Sequence, residues 1–172
     1  FWDALARIRA SEGAEPKRQK ALLGAARAHQ TNLAKWGGFG PANYQHKHDL
    51  VAAELARVAG DDAAARDLFD RAIAGATKNG YPHEAALACE LAAHLHRAAG
   101  RAENADWYVG RAHEGYLRWG AVAKADALEA AHPELLTRAS RAEPAPAALR
   151  SADIDLASVL KATTAITGEI VL

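Results

Sequence analysis

Among the residue types in this chain, histidine is the one that most often binds a metal ion in proteins generally. Of the eight histidines, His46 and His48 lie two residues apart, and so do His94 and His96. Residues two apart on a helix point to different sides, whereas the histidine pairs of metal-binding helices stand at i and i+4. No H-E-x-x-H motif occurs either. The spacing therefore predicts solvated or interhelical histidines and no metal site.

Nucleophilic and acid–base chemistry also have simple structural alternatives. Cys89, the single cysteine, stands in an alanine-rich helical pattern, which favours a small buried residue over a nucleophile. Asp61 with Asp62, and Asp67 with Asp70, look like paired catalytic carboxylates, but helix capping and a solvated helix face explain them. The chain also lacks a phosphate-binding loop and a kinase catalytic loop. We expect no catalytic residue and no cofactor in this segment.

A third set of side chains suits binding. Where helical hairpins stack, the first helix of each hairpin lines a concave groove, and two stripes at helical spacing fall on such helices. The stripes are Lys47, Leu50, Glu54, Arg57 and Leu87, Glu90, His94, Arg97. Arginines at equivalent positions suit a carboxylate or the backbone of a bound peptide, and the alternative is pairing with nearby glutamates or with solvent. The predicted binding residues are Lys47, Glu54, Arg57, Glu90, His94 and Arg97.

A segment that returns after 40 residues predicts the helices that position these stripes. Residues 55–60 (LARVAG) recur as residues 95–100 (LHRAAG), and alanine, arginine and glycine positions further on recur at the same interval. A further copy upstream is faint, with Gly40 aligned to Gly80. A fixed period of this size is typical of stacked helical hairpins. The glycines allow chain reversal and the alanines allow close helix crossing, so the repeated residues are expected to be structural.

Composition agrees with an all-helical chain and limits its partners. About a quarter of the 172 residues are alanine, the best helix former. The 21 Lys and Arg balance the 21 Asp and Glu, and no basic tract stands out, which argues against nucleic acid as the main partner. No run approaches the roughly 20 apolar residues of a membrane span, and no secretory signal is visible. We expect a cytoplasmic protein with protein partners.

Glycine and proline divide the chain into predicted elements. Residues 37–41 (GGFGP) are expected to stop a helix. The predicted helices cover residues 1–10, 17–36, 43–59, 61–79, 82–99, 102–118 and 121–131. Gly60 is expected in the left-handed conformation at the end of its helix. Residues 140–152 form an Ala/Pro-rich linker, and residues 153–172 form an amphipathic helix.

The spacing within the repeat resembles the second half of the tetratricopeptide repeat (TPR). It follows Gly–x4–Ala–x3–bulky–x2–Ala, with Phe69 and Val109 at the bulky position. The period is 40 rather than 34, and the first helix lacks the aromatic residue usual there. The prediction is an all-α fold: a TPR-like superhelix of antiparallel helical hairpins over residues 1–139, the linker, and the C-terminal connecting helix over residues 153–172.

Longer blocks resemble a more specific family. Residues 43–51 (NYQHKHDLV) resemble the N-[FY]-x-H-K-x-x-L-V block of large bacterial multi-domain signalling proteins, and residues 119–124 (WGAVAK) resemble their W-G-A-x-A-K block. Residues 155–172 are similar to their lead-in to a GAF sensor domain. In that family a serine/threonine kinase-like domain and an AAA-type ATPase domain come first, and GAF and often histidine kinase domains follow. The resemblance implies that this chain ends the helical region and starts the connection to GAF.

The function implied is a non-catalytic scaffold that couples an ATPase module to a sensor in a two-component signalling kinase. The alternative is a stand-alone peptide-binding adaptor of the TPR type. The final helix has two interpretations as well: a parallel coiled coil in a homodimer, or packing on the GAF domain. The chain begins without Met and is apolar at both ends, so we expect an excised segment of a longer protein.

Overall fold

Helices account for all the regular secondary structure of residues 1–133, the part of the chain that the computed structural model describes. The seven described helices are α1 (Trp2–Ser11), α2 (Pro16–Phe39), α3 (Pro41–Val58), α4 (Asp62–Lys78), α5 (Pro82–Ala98), α6 (Ala102–Trp119) and α7 (Val122–Ala131). The predicted all-α class is confirmed for this part. The predicted linker over 140–152 and connecting helix over 153–172 lie outside the described residues. None of the described helices is long and apolar enough to cross a membrane.

Each helix packs mainly against its neighbours along the chain. The most extensive packing joins α5 with α6 and α3 with α4, and α2 packs about equally on α1 and α3. The even-numbered helices also contact the helix that follows them, and α3 touches both α1 and α5. The odd-numbered helices α1, α3 and α5 therefore share one side of the fold, which positions the candidate site described below.

Four glycines at 20-residue intervals make the turns after α3, α4, α5 and α6. Gly60, Gly80, Gly100 and Gly120 have φ values of 80°, 78°, 71° and 87°. These values lie in the left-handed region that only glycine adopts at little cost, so the prediction for Gly60 is confirmed. Gly40 stands at the same interval but has φ −142°, outside the left-handed region, and Pro41 begins α3 directly after it. The faint upstream copy therefore does not share the turn geometry.

The second helix is longer than predicted. Residues 37–41 were expected to stop it, yet α2 continues through Gly37 and Gly38 to Phe39 and ends only at Gly40. Gly37 is buried, and a Cβ atom there would lie 3.4 Å from the Gln45 side chain. Gly37 is therefore packed against the start of α3, whereas Gly38 is helical although it is exposed and glycine has low helix propensity.

The interior consists of two hydrophobic clusters with α3 as their common wall. One extends from α3 to α7 and the other joins α1, α2 and α3. Leu50 and Ala53 belong to the first cluster, while Val51 and Leu55 belong to the second. The repeated alanines and the bulky residues between them are almost completely buried, as the repeat predicts. These residues are Ala65, Phe69, Ala72, Ala105, Val109 and Ala112.

Candidate binding site

A recess of about 400 Å³ lies between three of the odd-numbered helices, α1, α3 and α5. Its volume falls within the range of ligand pockets. The lining residues are Trp2, Leu5, Ala6 and Arg9 of α1, Glu54 and Arg57 of α3, and Leu87, Leu91 and His94 of α5. Most of this lining is apolar, and the charged groups come from α1 and α3. We call this site the recess.

Three of the six predicted binding residues, Glu54, Arg57 and His94, line the recess. Lys47 instead reaches Glu84, with 3.1 Å between Nζ and Oε2, and lies over the ring of Tyr81. The structure thus divides the first predicted stripe: its C-terminal half faces the recess, and Lys47 belongs to a separate polar cluster at the start of α5.

The second stripe is divided as well. Glu90 accepts hydrogen bonds from the Tyr116 hydroxyl and from Lys124, each at 2.8 Å. Arg97 donates to Asp106 at 2.9 Å and contacts His132. Arg97 and Glu90 therefore tie α5 to residues of α6 and α7, whereas Arg57, at the position equivalent to Arg97, faces the recess.

Arg57 is held by two carboxylates. Its Nε and Nη2 atoms each donate to Glu54 at 2.9 Å, and Nη2 also donates to Glu12 at 2.6 Å. The hydrogen bonds to Glu54 outweigh desolvation and raise the pKa of Arg57. Burial alone would raise the pKa of Glu12, but the Arg57 guanidinium lowers it. A ligand carboxylate would have to compete with both glutamates for Arg57. The contacts of Arg57 therefore fit pairing with nearby glutamates better than binding of a peptide.

His94 gives the recess a neutral polar group. Desolvation by the groups around this exposed side chain lowers the pKa of the imidazole below its usual 6.5; Glu90 opposes this shift and Arg9 adds to it. The ring is therefore uncharged at pH 7 and can both donate and accept a hydrogen bond. Together with Trp2, Leu87 and Leu91, it makes a surface suited to an apolar side chain with a polar group at its edge.

A buried polar cluster links the N-terminal halves of α3 and α5. His46 Nε2 lies 2.5 Å from Glu84 Oε2, and both residues are buried. The His46 ring packs on that of Tyr81, whose hydroxyl donates to the Asn43 side chain at 2.7 Å. Burial alone would raise the pKa of Glu84, but hydrogen bonds from His46 and Lys47 outweigh it and lower the pKa. Glu84 was not among the residues that the sequence predicted for a site.

The other residues considered for chemistry have structural roles. Cys89 is buried, and desolvation raises the pKa of its thiol to about 11, so the thiol stays protonated. The Asp61 side chain caps α4 by accepting from the Ala64 N–H, and Asp70 accepts from the Tyr108 hydroxyl. In residues 1–133 no three histidine, cysteine or acidic side chains cluster as metal ligands would.

Compared with known proteins, the chain matches no family model, no curated protein and no solved structure. The resemblance of residues 43–51 and 119–124 to signalling-protein blocks therefore stays a prediction. Both blocks make contacts between helices: Asn43, His46 and Lys47 form the buried polar cluster, and Trp119 stacks on His83 with ring centroids 4.7 Å apart.

Proposed function

We propose that this chain is a non-catalytic helical scaffold that couples neighbouring domains of a larger signalling protein by protein–protein contacts. The observation that carries the proposal is the recess, whose walls come from three successive odd-numbered helices. In a TPR-like superhelix these would be the first helices of stacked hairpins, and their common side would be the concave binding face. The same arrangement would let one partner touch several hairpins at once.

The chemistry of the recess supports binding over catalysis. Its apolar lining, its neutral His94 and an Arg57 already held by two carboxylates suit the surface of a protein partner. The thiol and phenol groups whose pKa values are raised, those of Cys89, Tyr108 and Tyr116, lie in the hydrophobic core and not in the recess. They owe these shifts chiefly to burial.

The resemblance of residues 43–51 and 119–124 supports a particular context for this scaffold. In that context kinase-like and AAA-type ATPase domains precede the helical segment, and a GAF sensor and a histidine kinase follow it. The protein would be cytoplasmic, and the helical segment would carry conformational change between the ATPase and the sensor. Sequencing the flanking coding region tests this context. Purified chain should neither hydrolyse ATP nor autophosphorylate, and measurable nucleotide turnover contradicts the proposal.

A second candidate function, a stand-alone peptide-binding adaptor, is favoured by the size of the recess. Ala6 is exposed on α1 and lines the recess, so Ala6→Trp should fill the recess without disturbing the core. Ala10→Trp is the matched control, because Ala10 is exposed on the same helix but does not line the recess.

The two functions differ in what Ala6→Trp should change. For an adaptor, peptides selected on the purified chain should lose at least tenfold in affinity with Ala6→Trp and less than twofold with Ala10→Trp. For a coupling segment, no free peptide should be selected, and Ala6→Trp should alter signal output of the intact multi-domain protein. If Ala6→Trp affects neither measurement, the recess has no part in function.

A further inference from the structure

Helix α2 concentrates positive charge in a chain that is neutral overall. Between Pro16 and Phe39 it contains five Lys and Arg residues and neither Asp nor Glu. They are Lys17, Arg18, Lys20, Arg27 and Lys35. All five are exposed. None of them lines the recess, so this surface is separate from the candidate site described above.

These five cations have no carboxylate partner among residues 1–133. Elsewhere in that part, cations such as Arg7, Arg57, Arg71 and Lys124 form ion pairs at 2.6–3.0 Å. Like charges three residues apart on one helix, such as Lys17 and Lys20, repel each other and destabilise it. The charge on α2 therefore gives no stability to the described fold, and an external anionic partner would relieve the repulsion.

Four of the five cations lie along one face of α2, and Arg18 lies to the side of this face. Ala26, Leu33 and Gly37 form the buried side of α2. At 100° per residue, Lys17 and Lys35 fall opposite that side, and the exposed positions nearest to them on this strip are small: Ala21, Gly24, Ala28 and Thr31. Lys20 and Arg27 follow one edge of this strip. The face is about 36 Å long over 24 residues.

We propose that this basic face of α2 docks a helix of a protein partner that carries Asp and Glu at helical spacing. The small residues along the middle allow two helix backbones to approach closely, and the cations at the edge would pair with the acidic side chains. Trp36 and Phe39, 48% and 86% exposed at the C-terminal end of α2, would anchor one end of the partner.

The arrangement favours a protein helix over nucleic acid or a membrane. Single strands bind where aromatic rings alternate with cations, whereas here both aromatic residues lie at one end of α2. Helices that lie in a membrane surface bury bulky apolar side chains, whereas the middle of this face carries only alanine, glycine and one threonine between its cations.

The test measures binding of the purified chain to a synthetic alanine-based helix of 24 residues with glutamates along one face, by fluorescence anisotropy. Lys20→Glu with Arg27→Glu should weaken binding at least tenfold. Arg111→Glu with Arg118→Glu is the matched control, because these exposed α6 arginines have the same seven-residue spacing, and it should change affinity less than twofold. Circular dichroism checks that both double variants stay helical.

A further variant distinguishes docking of a helix from general electrostatic attraction between α2 and an acidic ligand. Ala28→Trp keeps every charge but blocks close approach, so it should also weaken binding at least tenfold. The proposal is overturned by equal losses in the two double variants, by an unaffected Ala28→Trp variant, or by absent binding. It is likewise overturned if single-stranded DNA or vesicles with anionic lipid bind α2 more tightly than the acidic helix does.

Discussion

Glu84 shows how a charge is kept inside an alanine-rich interior. Burying an unpaired carboxylate costs several kcal/mol, so such groups persist only with partners that offset the lost hydration. His46 and Lys47 supply those partners, and both belong to the helix that the Glu84 side chain faces. The cluster thereby holds the N-terminal halves of α3 and α5 in one relative position.

We predict that Glu84→Gln removes part of the pH dependence of folding. The pKa of Glu84 is lowered in the folded state, so its contribution is fully present above the usual carboxyl pKa of about 4.3 and is lost as the pH falls through the lowered value. At pH 7 the free energy of unfolding should fall by about 3 kcal/mol. Urea titrations from pH 7 to pH 3 measure both effects.

The control for this prediction is Glu114→Gln, which changes an exposed carboxylate in the middle of α6. It should alter the free energy of unfolding by no more than about 0.5 kcal/mol and leave the acid dependence in place. An acid dependence that is the same in Glu84→Gln and in the unmodified chain would show that the buried pair does not contribute.

Two glycines in α6 should respond oppositely to alanine. A Cβ atom on Gly115 would lie 2.8 Å from the Ala86 Cβ atom, whereas a Cβ atom on Gly110 would meet nothing within 4 Å. Gly115→Ala should therefore destabilise by about 1–3 kcal/mol, since α5 and α6 would have to separate. Gly110→Ala should stabilise by up to about 1 kcal/mol through helix propensity. Thermal unfolding of both variants decides whether close helix approach explains Gly115.

At the scale of elements, the two copies of the repeat differ in helix capping. Asp61 is the one N-cap residue of the seven described helices whose side chain accepts a backbone hydrogen bond. Its counterpart 40 residues later is Arg101, which has nearly the same backbone angles, φ −95° and ψ 70° against −89° and 74°. The backbone at Arg101 is thus already suited to a capping side chain.

Removing the cap at Asp61 and adding one at Arg101 should change the free energy of unfolding in opposite directions. Asp61→Ala should lower the free energy of unfolding by about 1 kcal/mol, and Arg101→Asp should raise it by about 0.5–1 kcal/mol. Urea unfolding of the two single variants measures this. If Arg101→Asp destabilises, Arg101 has a role in the fold that outweighs the cap.

The repeat predicted the elements it covers and little beyond them. The glycines between helices predicted the ends of α3 to α6 to within about two residues of the observed ends. Each of these turns needs a residue in the left-handed conformation, which glycine supplies. Gly37 and Gly38 made the prediction for α2 too short: Gly37 packs close to Gln45 at the start of α3, and Gly38 continues the helix while exposed. Local propensity contains no information about such a contact.

The part of the candidate site that lies within the repeat was also predictable, and the rest was not. Glu54, Arg57 and His94 followed from the spacing on α3 and α5, but the α1 wall of the recess, including Trp2 and Arg9, lies outside the repeat. The partners of Lys47 and Arg97 depend on which neighbour each side chain meets. Three polar contacts between helices join residues that are 38 apart in the sequence, which is two residues less than the repeat period. A search for polar residues at this separation could have found them. These are Asn43–Tyr81, His46–Glu84 and Asp70–Tyr108.

At the scale of the described molecule, contacts between neighbouring helices determine how stability is distributed. Residues 1–133 have two hydrophobic clusters that meet along α3 and at the partly buried Phe1 and Leu5, which pack against both, so few residues connect one cluster to the other. Where helices pack mainly on their neighbours along the chain, as in stacked helical repeats, stability is approximately a sum of local terms and nearest-neighbour interfaces. Local opening of one end should therefore leave the other end protected.

We predict that Ile8→Ala and Val109→Ala each loosen only their own cluster. Both side chains are at most 1% exposed; Ile8 packs with α2 and α3, and Val109 packs within the cluster of α3 to α7. Each truncation should cost about 2–3 kcal/mol, which corresponds to roughly 100-fold faster amide exchange where opening is local. Hydrogen–deuterium exchange with mass spectrometry should show Ile8→Ala acting on α1 and α2 while α5 and α6 keep their protection. Val109→Ala should give the reverse pattern. Uniform acceleration of all seven helices by either variant would instead mean that residues 1–133 unfold as one cooperative unit, and α3 would then couple the two clusters rather than separate them.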